Sequence, residues 1–362
     1  MADALTTDEL TKLRAEIDRI DEAIVRLLNE RADVVMRVGE FKQQNRIAFY
    51  APQREREVFD RISEANAGPF PSDALRAVYR EIVSACLALE KPLRVAYLGP
   101  EATFTHLACK EHFGLSAVFA AQKGIPDVFE EVARERADFG VVPIENSTEG
   151  VVSHTLDTFV DSDLVITAEV LLAVSHHLLT KTGTLSSVRK VFSHPQALAQ
   201  CRRWLDRNLP GVPLIDVAST ALAAELASRD LDSGAVAGEL AAQLYDLRIV
   251  ENRIEDSPQN FTRFLVVGRE ATPRTGSDKT SLMFSVKDSP GILYRALKPF
   301  HDNAVNLTKI ESRPSKKRAW EYIFFIDLDG HGDDAAVADA ISTLRASCQM
   351  LRVLGSYPKA AP

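Results

Sequence analysis

The sequence predicts a multidomain protein, all-α over residues 1–91 and α/β thereafter, and three patterns carry that reading. Apolar residues recur at three- and four-residue spacing from Leu10 to Phe41 with no proline between, the period of an amphipathic helix. From Leu93 to Val267, short apolar runs alternate with helical stretches, as in a mostly parallel, layered α/β domain. After a polar linker at 269–278, the remaining elements follow the order βαββαβ. The domains read as 1–91, 92–268 and 279–357.

A chain of 362 residues can hold two or three cores of its own. A net charge of −8 with no basic block argues against a nucleic-acid surface. No apolar run is long enough for a bilayer, and Asp3, Asp8 and Glu9 occupy the place of a leader's apolar core. Cys86, Cys109, Cys201 and Cys348 are scattered with no CxxC pair, which fits a reducing cytoplasm and no disulfide frame. His176-His177 has no partner at metal spacing, so neither metal nor other cofactor is expected.

Thr6-Thr7-Asp8-Glu9 has the form of a capping box that starts a helix. Leu10, Leu13, Ile17, Ile20, Ile24, Leu27, Val34, Val38 and Phe41 form its apolar seam, and at 1.5 Å per residue the rod spans roughly 50–60 Å. One small domain cannot bury such a rod, so an interlocked homodimer is expected. Arg31 fills the missing seam position and Lys42 follows three turns on. A lone polar seam residue commonly fixes register; two cations in one interior ask for a charged ligand. Pro52 opens a second helix with Glu55 in line with Val58 and Ile62. Ser72 is expected to cap a third, with Leu75, Val78, Ile82, Cys86 and Leu89 inward and Glu90 one turn beyond Cys86.

Through Leu13-Arg14, Asn29-Glu30-Arg31, Val38-Gly39-Glu40-Phe41-Lys42 and Arg54-Glu55-Arg56-Glu57, residues 8–91 resemble the all-helical class of chorismate mutase. The resemblance implies that Arg14, from the partner chain, and Arg31 bind substrate carboxylates. Lys42 would face the breaking ether oxygen, and Glu55 the ring hydroxyl, with Arg54 beside it. The reaction is pericyclic, so positioning and electrostatics supply the acceleration. Three positions depart from relatives: Ala51, often polar, offers only backbone; Cys86 stands where some have serine; Glu90 stands where some have glutamine. A glutamate imitates that neutral donor only when protonated.

In the α/β segment the strand 139–142 ends at Pro143 and runs into Glu145-Asn146-Ser147-Thr148. Other apolar runs end in the same style, at Thr103-Phe104-Thr105-His106, Ser193-His194-Pro195-Gln196, Ser219-Thr220 and Gly238-Glu239. A lone polar turn is usually only solvated; repetition points to a crevice at strand carboxyl ends, where helix N-termini favour anions. Helices are expected over 105–113, 195–207, 220–228 and 239–244, with strands near 164–174 crossing between two lobes. His194 before Pro195 reads as a capping or packing residue rather than a base.

The motifs GPEATFT (99–105), VPIENSTEG (142–150), SHPQALAQC (193–201), STALAA (219–224) and QNFTRF (259–264) resemble prephenate dehydratase, with a two-lobed layout like that of periplasmic solute-binding proteins. Ala102 departs, where glycine is usual. The resemblance implies loss of water and carbon dioxide from prephenate, giving phenylpyruvate. Thr262 would donate to the departing hydroxyl, and Arg263 would pair with a carboxylate or serve a structural ion pair. Thr103, Thr105, Glu145, Asn146, Ser147, Thr148, Ser193, Gln196, Ser219 and Thr220 would line the site, or simply cap helices.

Beyond 279, Pro290-Gly291-Ile292-Leu293 and Glu311-Ser312-Arg313-Pro314 resemble the ACT regulatory domain, a ferredoxin-like unit. By that resemblance Gly291, Ile292, Leu293, Glu311, Ser312, Arg313 and Pro314 would bind phenylalanine at a subunit interface; Ile292 and Tyr294 depart from the smaller or apolar residues usual there. Together these resemblances imply a cytoplasmic, homodimeric or larger, bifunctional chorismate mutase and prephenate dehydratase inhibited by phenylalanine. Two other readings stand beside it. One is a dehydratase, of prephenate or arogenate, whose helical segment only dimerises; the other is a non-catalytic amino-acid sensor.

Overall fold

The computed structural model describes residues 7–45, 52–315 and 322–360. Residues 1–93 with 113–117 form one compact unit and the rest a second. The first is built from α1 (Thr7–Asn45), α2 (Pro52–Ala65) and α3 (Ser72–Glu90). Thr6 and Ala51 lie outside the described residues. Pro71, not Ser72, occupies the N-cap of α3 and makes no side-chain bond there; Ser72 Oγ instead accepts from Asn66 Nδ2 at 3.3 Å. Every one of the nine seam residues of α1 is exposed, by 39–58%. Val78 and Leu89 of α3 are exposed too, and among the described residues of this unit the buried hydrophobic side chains are Val83, Cys86, Leu93 and Phe113.

The second unit begins with β1 (Arg94–Leu98), α4 (Phe104–Phe113), β2 (Val118–Gln122), α5 (Ile125–Ala133), β3 (Phe139–Asn146), β4 (Gly150–Val151), α6 (Ser153–Val160) and β5 (Val165–Ala173). A second lobe follows: β6 (His177–Thr180), β7 (Lys190–Ser193), α7 (Pro195–Gln200), α8 (Arg202–Asn208), β8 (Leu214–Asp216), α9 (Thr220–Ser228), β9 (Ser233–Ala237), α10 (Glu239–Leu244) and β10 (Arg248–Glu251). The chain then returns to the first lobe through β11 (Phe261–Gly268). The sheets are ordered β2-β1-β3-β11-β5, with β4 on β3, and β10-β6-β9-β7-β8. They are mixed rather than mostly parallel: β1 pairs in parallel with β2 and β3, but β11 runs against β3 and β5. β11, which brings the chain back into the first lobe, and β6, which takes it into the second, run against their sheets, while β5 lies in the same direction as β3.

Helix 195–207 is expected as one but forms two. Gln200 O accepts from Asp256 N at 2.7 Å, and the Asp256 carboxylate accepts from Arg203 N at 3.1 Å. A residue distant in sequence thus takes the backbone groups that would have continued the helix.

The last elements are β12 (Asp278–Ser285), α11 (Ile292–Asp302), β13 (Leu307–Pro314), β14 (Tyr322–Asp329), α12 (Ala335–Ser347) and β15 (Met350–Pro358), in the sheet order β13-β14-β12-β15. One face of this sheet packs under α11 and α12 through Leu282, Phe284, Ile326 and Leu344. The other joins the core of the first lobe, where Met283, Phe325, Leu354 and Tyr357 meet Ile144, Leu156, Phe159 and Leu265. Gly355 permits the closest approach, since a Cβ there would lie 2.2 Å from Ile166 O. The polar stretch 269–278 is pinned rather than loose: Arg269 Nη1 donates to the carbonyls of Val132 and Ala137, and Thr272 Oγ1 donates to Thr167 O.

Candidate functional site

Strand alternation and register build the centre of the two-lobed body. β3 and β11 pair so that Thr262 faces Asn146, and Arg263 faces Glu145. Successive residues of a strand point to opposite faces, so the two pairs part company. Asn146 and Thr262 line a cleft of about 590 Å³, together with Thr103, Thr105, Gln196, Ser219, Thr220, Glu149, His154, His176, His194 and Gln200. Glu145 and Arg263 turn toward the third sheet. Lys309 Nζ meets Glu145 at 2.7 Å. Arg263 donates to Glu169 and Asp327 at 2.6 Å each and to the Tyr357 hydroxyl at 2.9 Å.

Arg263 is therefore held by its own protein, the structural alternative of the sequence reading. Lys279 shares Glu169 at 2.8 Å, and Ser281 Oγ donates to Asp327. Burial works against the guanidinium charge, but Tyr357, Asp327 and Glu169 outweigh it and raise the Arg263 pKa. Burial also pushes the Tyr357 phenol up, keeping it protonated.

With Arg263 withdrawn, no Lys or Arg is among the described residues lining the cleft. What it offers an anion is backbone N–H and helix N-termini. Thr103 Oγ1 accepts from His106 N at 3.4 Å near the start of α4. His194 caps α7, its Nδ1 accepting from Gln196 N at 3.3 Å. Ser219 caps α9, its Oγ accepting from Leu222 N at 3.0 Å. Three other expected lining residues hold the scaffold instead. Ser193 is buried and donates to Val236 O at 2.6 Å. Ser147 Oγ donates to Gln259 O and accepts from Phe261 N, both at 3.0 Å. Thr148 Oγ1 donates to Asn146 Oδ1 at 2.6 Å.

Asn146 orients Thr262. Its Oδ1 also accepts from the backbone N–H of Thr148 at 2.9 Å and of Glu149 at 3.1 Å. The other end of the amide, Nδ2, must then be the donor to Thr262 Oγ1 at 2.8 Å. With an oxygen lone pair occupied, the Thr262 hydroxyl hydrogen is left to donate elsewhere. Gln200 and Asn260, which the sequence reading passed over although both lie inside quoted motifs, join this network through Asn260 Nδ2 to Gln200 Oε1 at 2.9 Å.

In the helical unit the structure brings Lys42 and Glu90 together at 3.2 Å, with the Glu90 side chain only 3% exposed. Gly39 makes room, since a Cβ there would come within 2.8 Å of Glu90 Cγ. Cys86 is buried nearby in sequence on α3. Arg31 Nη1 is buried with no hydrogen-bond partner among the described residues, a costly state for a guanidinium without a ligand. Glu55 is half-buried and Arg14 exposed, while exposed Arg54 pairs with Glu57 at 3.0 Å.

In the third sheet, Gly291 sits in the left-handed region at φ 74 and starts α11. Ile292 packs on the core under α11 and Leu293 is exposed. Along β13, Glu311 and Arg313 are half-buried while Ser312 and Pro314 are exposed. Arg313 reaches Asp157 of α6 at 3.4 Å, so alternation splits this motif between two faces.

A two-lobed α/β body with an anion-receptive cleft, fused to a βαββαβ sheet and preceded by a charged helical unit, defines a multidomain enzyme class. The family models for chorismate mutase type II, prephenate dehydratase and the ACT domain match residues 13–91, 95–272 and 280–346. The bifunctional chorismate mutase/prephenate dehydratase of Aquifex aeolicus is 54% identical over 98% of this chain and 99% of its own length. That of Pseudomonas aeruginosa is 45% identical over 98% of each. A solved prephenate dehydratase from Arthrobacter aurescens, in complex with L-Phe, superposes with a TM-score of 0.69 at 36% identity, covering 74% of this chain and 90% of that one. The chain belongs to the bifunctional chorismate mutase/prephenate dehydratase family. No helix among the described residues is long and apolar enough to cross a membrane.

Proposed function

We propose that this chain rearranges chorismate to prephenate in its helical domain, 1–91, and converts prephenate to phenylpyruvate in its α/β domain, 92–268. L-phenylalanine then inhibits it through the domain at 279–357. The observation that carries the dehydratase reading is Thr262, facing the cleft with its oxygen held by Asn146. Its hydroxyl donates to the departing ring hydroxyl while the ring carboxylate leaves as carbon dioxide, and that bonding pair completes the aromatic ring. A neutral donor suffices because aromatisation drives the step. Helix N-termini hold the carboxylates, and Arg263 braces the strand behind Thr262.

For the mutase, the Lys42–Glu90 pair supports a shared role at the ether oxygen, with Glu90 a donor when protonated. The Arg31 nitrogen, without a hydrogen-bond partner among the described residues, supports a carboxylate there, and Glu55 would hold the ring hydroxyl beside Cys86. The exposed seam of α1 supports a homodimer in which Arg14 of one chain reaches the other's site. The free cysteines suit the cytoplasm. The deciding experiment measures phenylpyruvate from chorismate and from prephenate, each with and without phenylalanine. Product from prephenate alone would leave only the dehydratase; phenylalanine binding without either product would make the chain a sensor.

A further inference from the structure

We infer that His176 and Asn260 are positioning residues for Thr262, acting through Gln200 and Asn146; the inference rests on the dehydratase reading. Hydrogen-bond polarity is fixed along a single chain of side chains. It starts at two backbone N–H groups, of Thr148 and Glu149, which cannot reverse and which both donate to Asn146 Oδ1. Asn146 Nδ2 must therefore donate, to Thr262 Oγ1 and to Asn260 Oδ1, both at 2.8 Å. That leaves the Asn260 amide nitrogen to donate to Gln200 Oε1 at 2.9 Å. Gln200 Nε2 in turn donates to Thr148 Oγ1 at 3.0 Å and Glu149 Oε1 at 3.2 Å. Gln200 Oε1 is then an acceptor toward His176 Nε2, 2.9 Å away.

The imidazole consequently carries its proton on Nε2, and Nδ1 is a buried lone pair with no partner among the described residues. Burial lowers the His176 pKa, so the ring is neutral and the tautomer is set by the network. Each member has one orientation that satisfies all its neighbours. Reversing any amide would set donor against donor or acceptor against acceptor around buried Asn260 and His176, where an unmet polar group is costly. His176 stands just before β6, at the crossing into the second lobe, and Gln200 ends α7; Asn260 and Thr262 return on the crossing back. The chain thus ties the hydroxyl donor to both lobes.

The test replaces His176 by Phe, which keeps a ring against Phe104 but removes the donor, and by Gln, whose amide nitrogen falls near the place of Nε2. Parent and variants are assayed in the full chain with prephenate and with chorismate. The expected result for His176→Phe is a fall in prephenate kcat of about tenfold, with KM within about twofold and chorismate turnover unchanged. His176→Gln recovers most of the loss. Asn260→Leu falls likewise, and the His176→Phe/Asn260→Leu double variant loses no more than the worse single one, as members of one chain do. Parental kcat in His176→Phe overturns the inference, as does a Gln variant no better than Phe, or losses that multiply. Should His176→Phe fail to fold, Asn260→Leu against parent decides, with unaltered kcat overturning it. A parent that makes no phenylpyruvate from prephenate sinks the dehydratase reading instead.

Discussion

In the helical unit most of the groups assigned to the ligand carry full charges, while the cleft of the α/β unit is lined mainly by hydroxyls, amides, imidazoles and helix N-termini, with Glu149 but no Lys or Arg among its described residues. Their completeness differs as well. Thr262 has its supporting network within one chain, whereas the helical unit exposes its whole apolar seam and keeps a sealed Arg31 nitrogen with no hydrogen-bond partner among the described residues. Both schemes suit a dianionic ring, but they call for different accompaniments. Cations in a thin core need a second copy to exclude water, whereas oriented dipoles need only a rigid sheet behind them.

The sharpest way to break that comparison is Thr262→Val. It should lower prephenate turnover by about 10²–10⁴ and leave chorismate turnover untouched; a coupled loss of both would mean the sites are not independent. Next comes the Ile17→Asp/Ile24→Asp double variant, which charges the seam. Light scattering should show dissociation, with mutase activity lost and the dehydratase retained. Asp327→Ala, which leaves Arg263 short of a buried partner, should cost the α/β unit about 3 kcal/mol in a urea melt followed by tryptophan. That probe reports the second unit alone, since Trp204 and Trp320 are the only two.

Acid sharpens the contrast further. Burial lowers the pKa of His106, His176 and His177, and residues 1–93 contain no histidine. Below the ordinary histidine value of about 6.5, the unfolded chain takes up protons that the native one resists. Stability of the α/β unit should therefore fall as pH drops from about 6.5, seen as a lower tryptophan Tm at pH 5 than at pH 7. An equal Tm would refute the buried neutral state. The smallest effect is expected from Ala102→Gly: Ala102 sits at φ 61, and relieving it should stabilise by about 1 kcal/mol.

Local pattern reached much of this. α9 and α10 have the bounds that Ser219, Gly238 and their apolar spacing imply, and the βαββαβ order was legible in its alternation. Period-two alternation could also have separated Asn146 and Thr262 from Glu145 and Arg263, had each polar run been read as strand rather than loop. The break between α7 and α8 could not be foreseen, because Asp256 makes it from 53 residues beyond Arg203.

By itself, then, the amino-acid order determined the three-part plan, the long apolar seam and the residues with chemistry to offer, since these follow from periodicity and caps acting over a few positions. Only the folded chain decided which offers were taken up. Arg263 and Glu145 went to ion pairs with the third sheet, and Gln200, Asn260 and His176 entered the network behind Thr262. Strand register and partners distant in sequence set those outcomes, and neither is written in the spacing of neighbours.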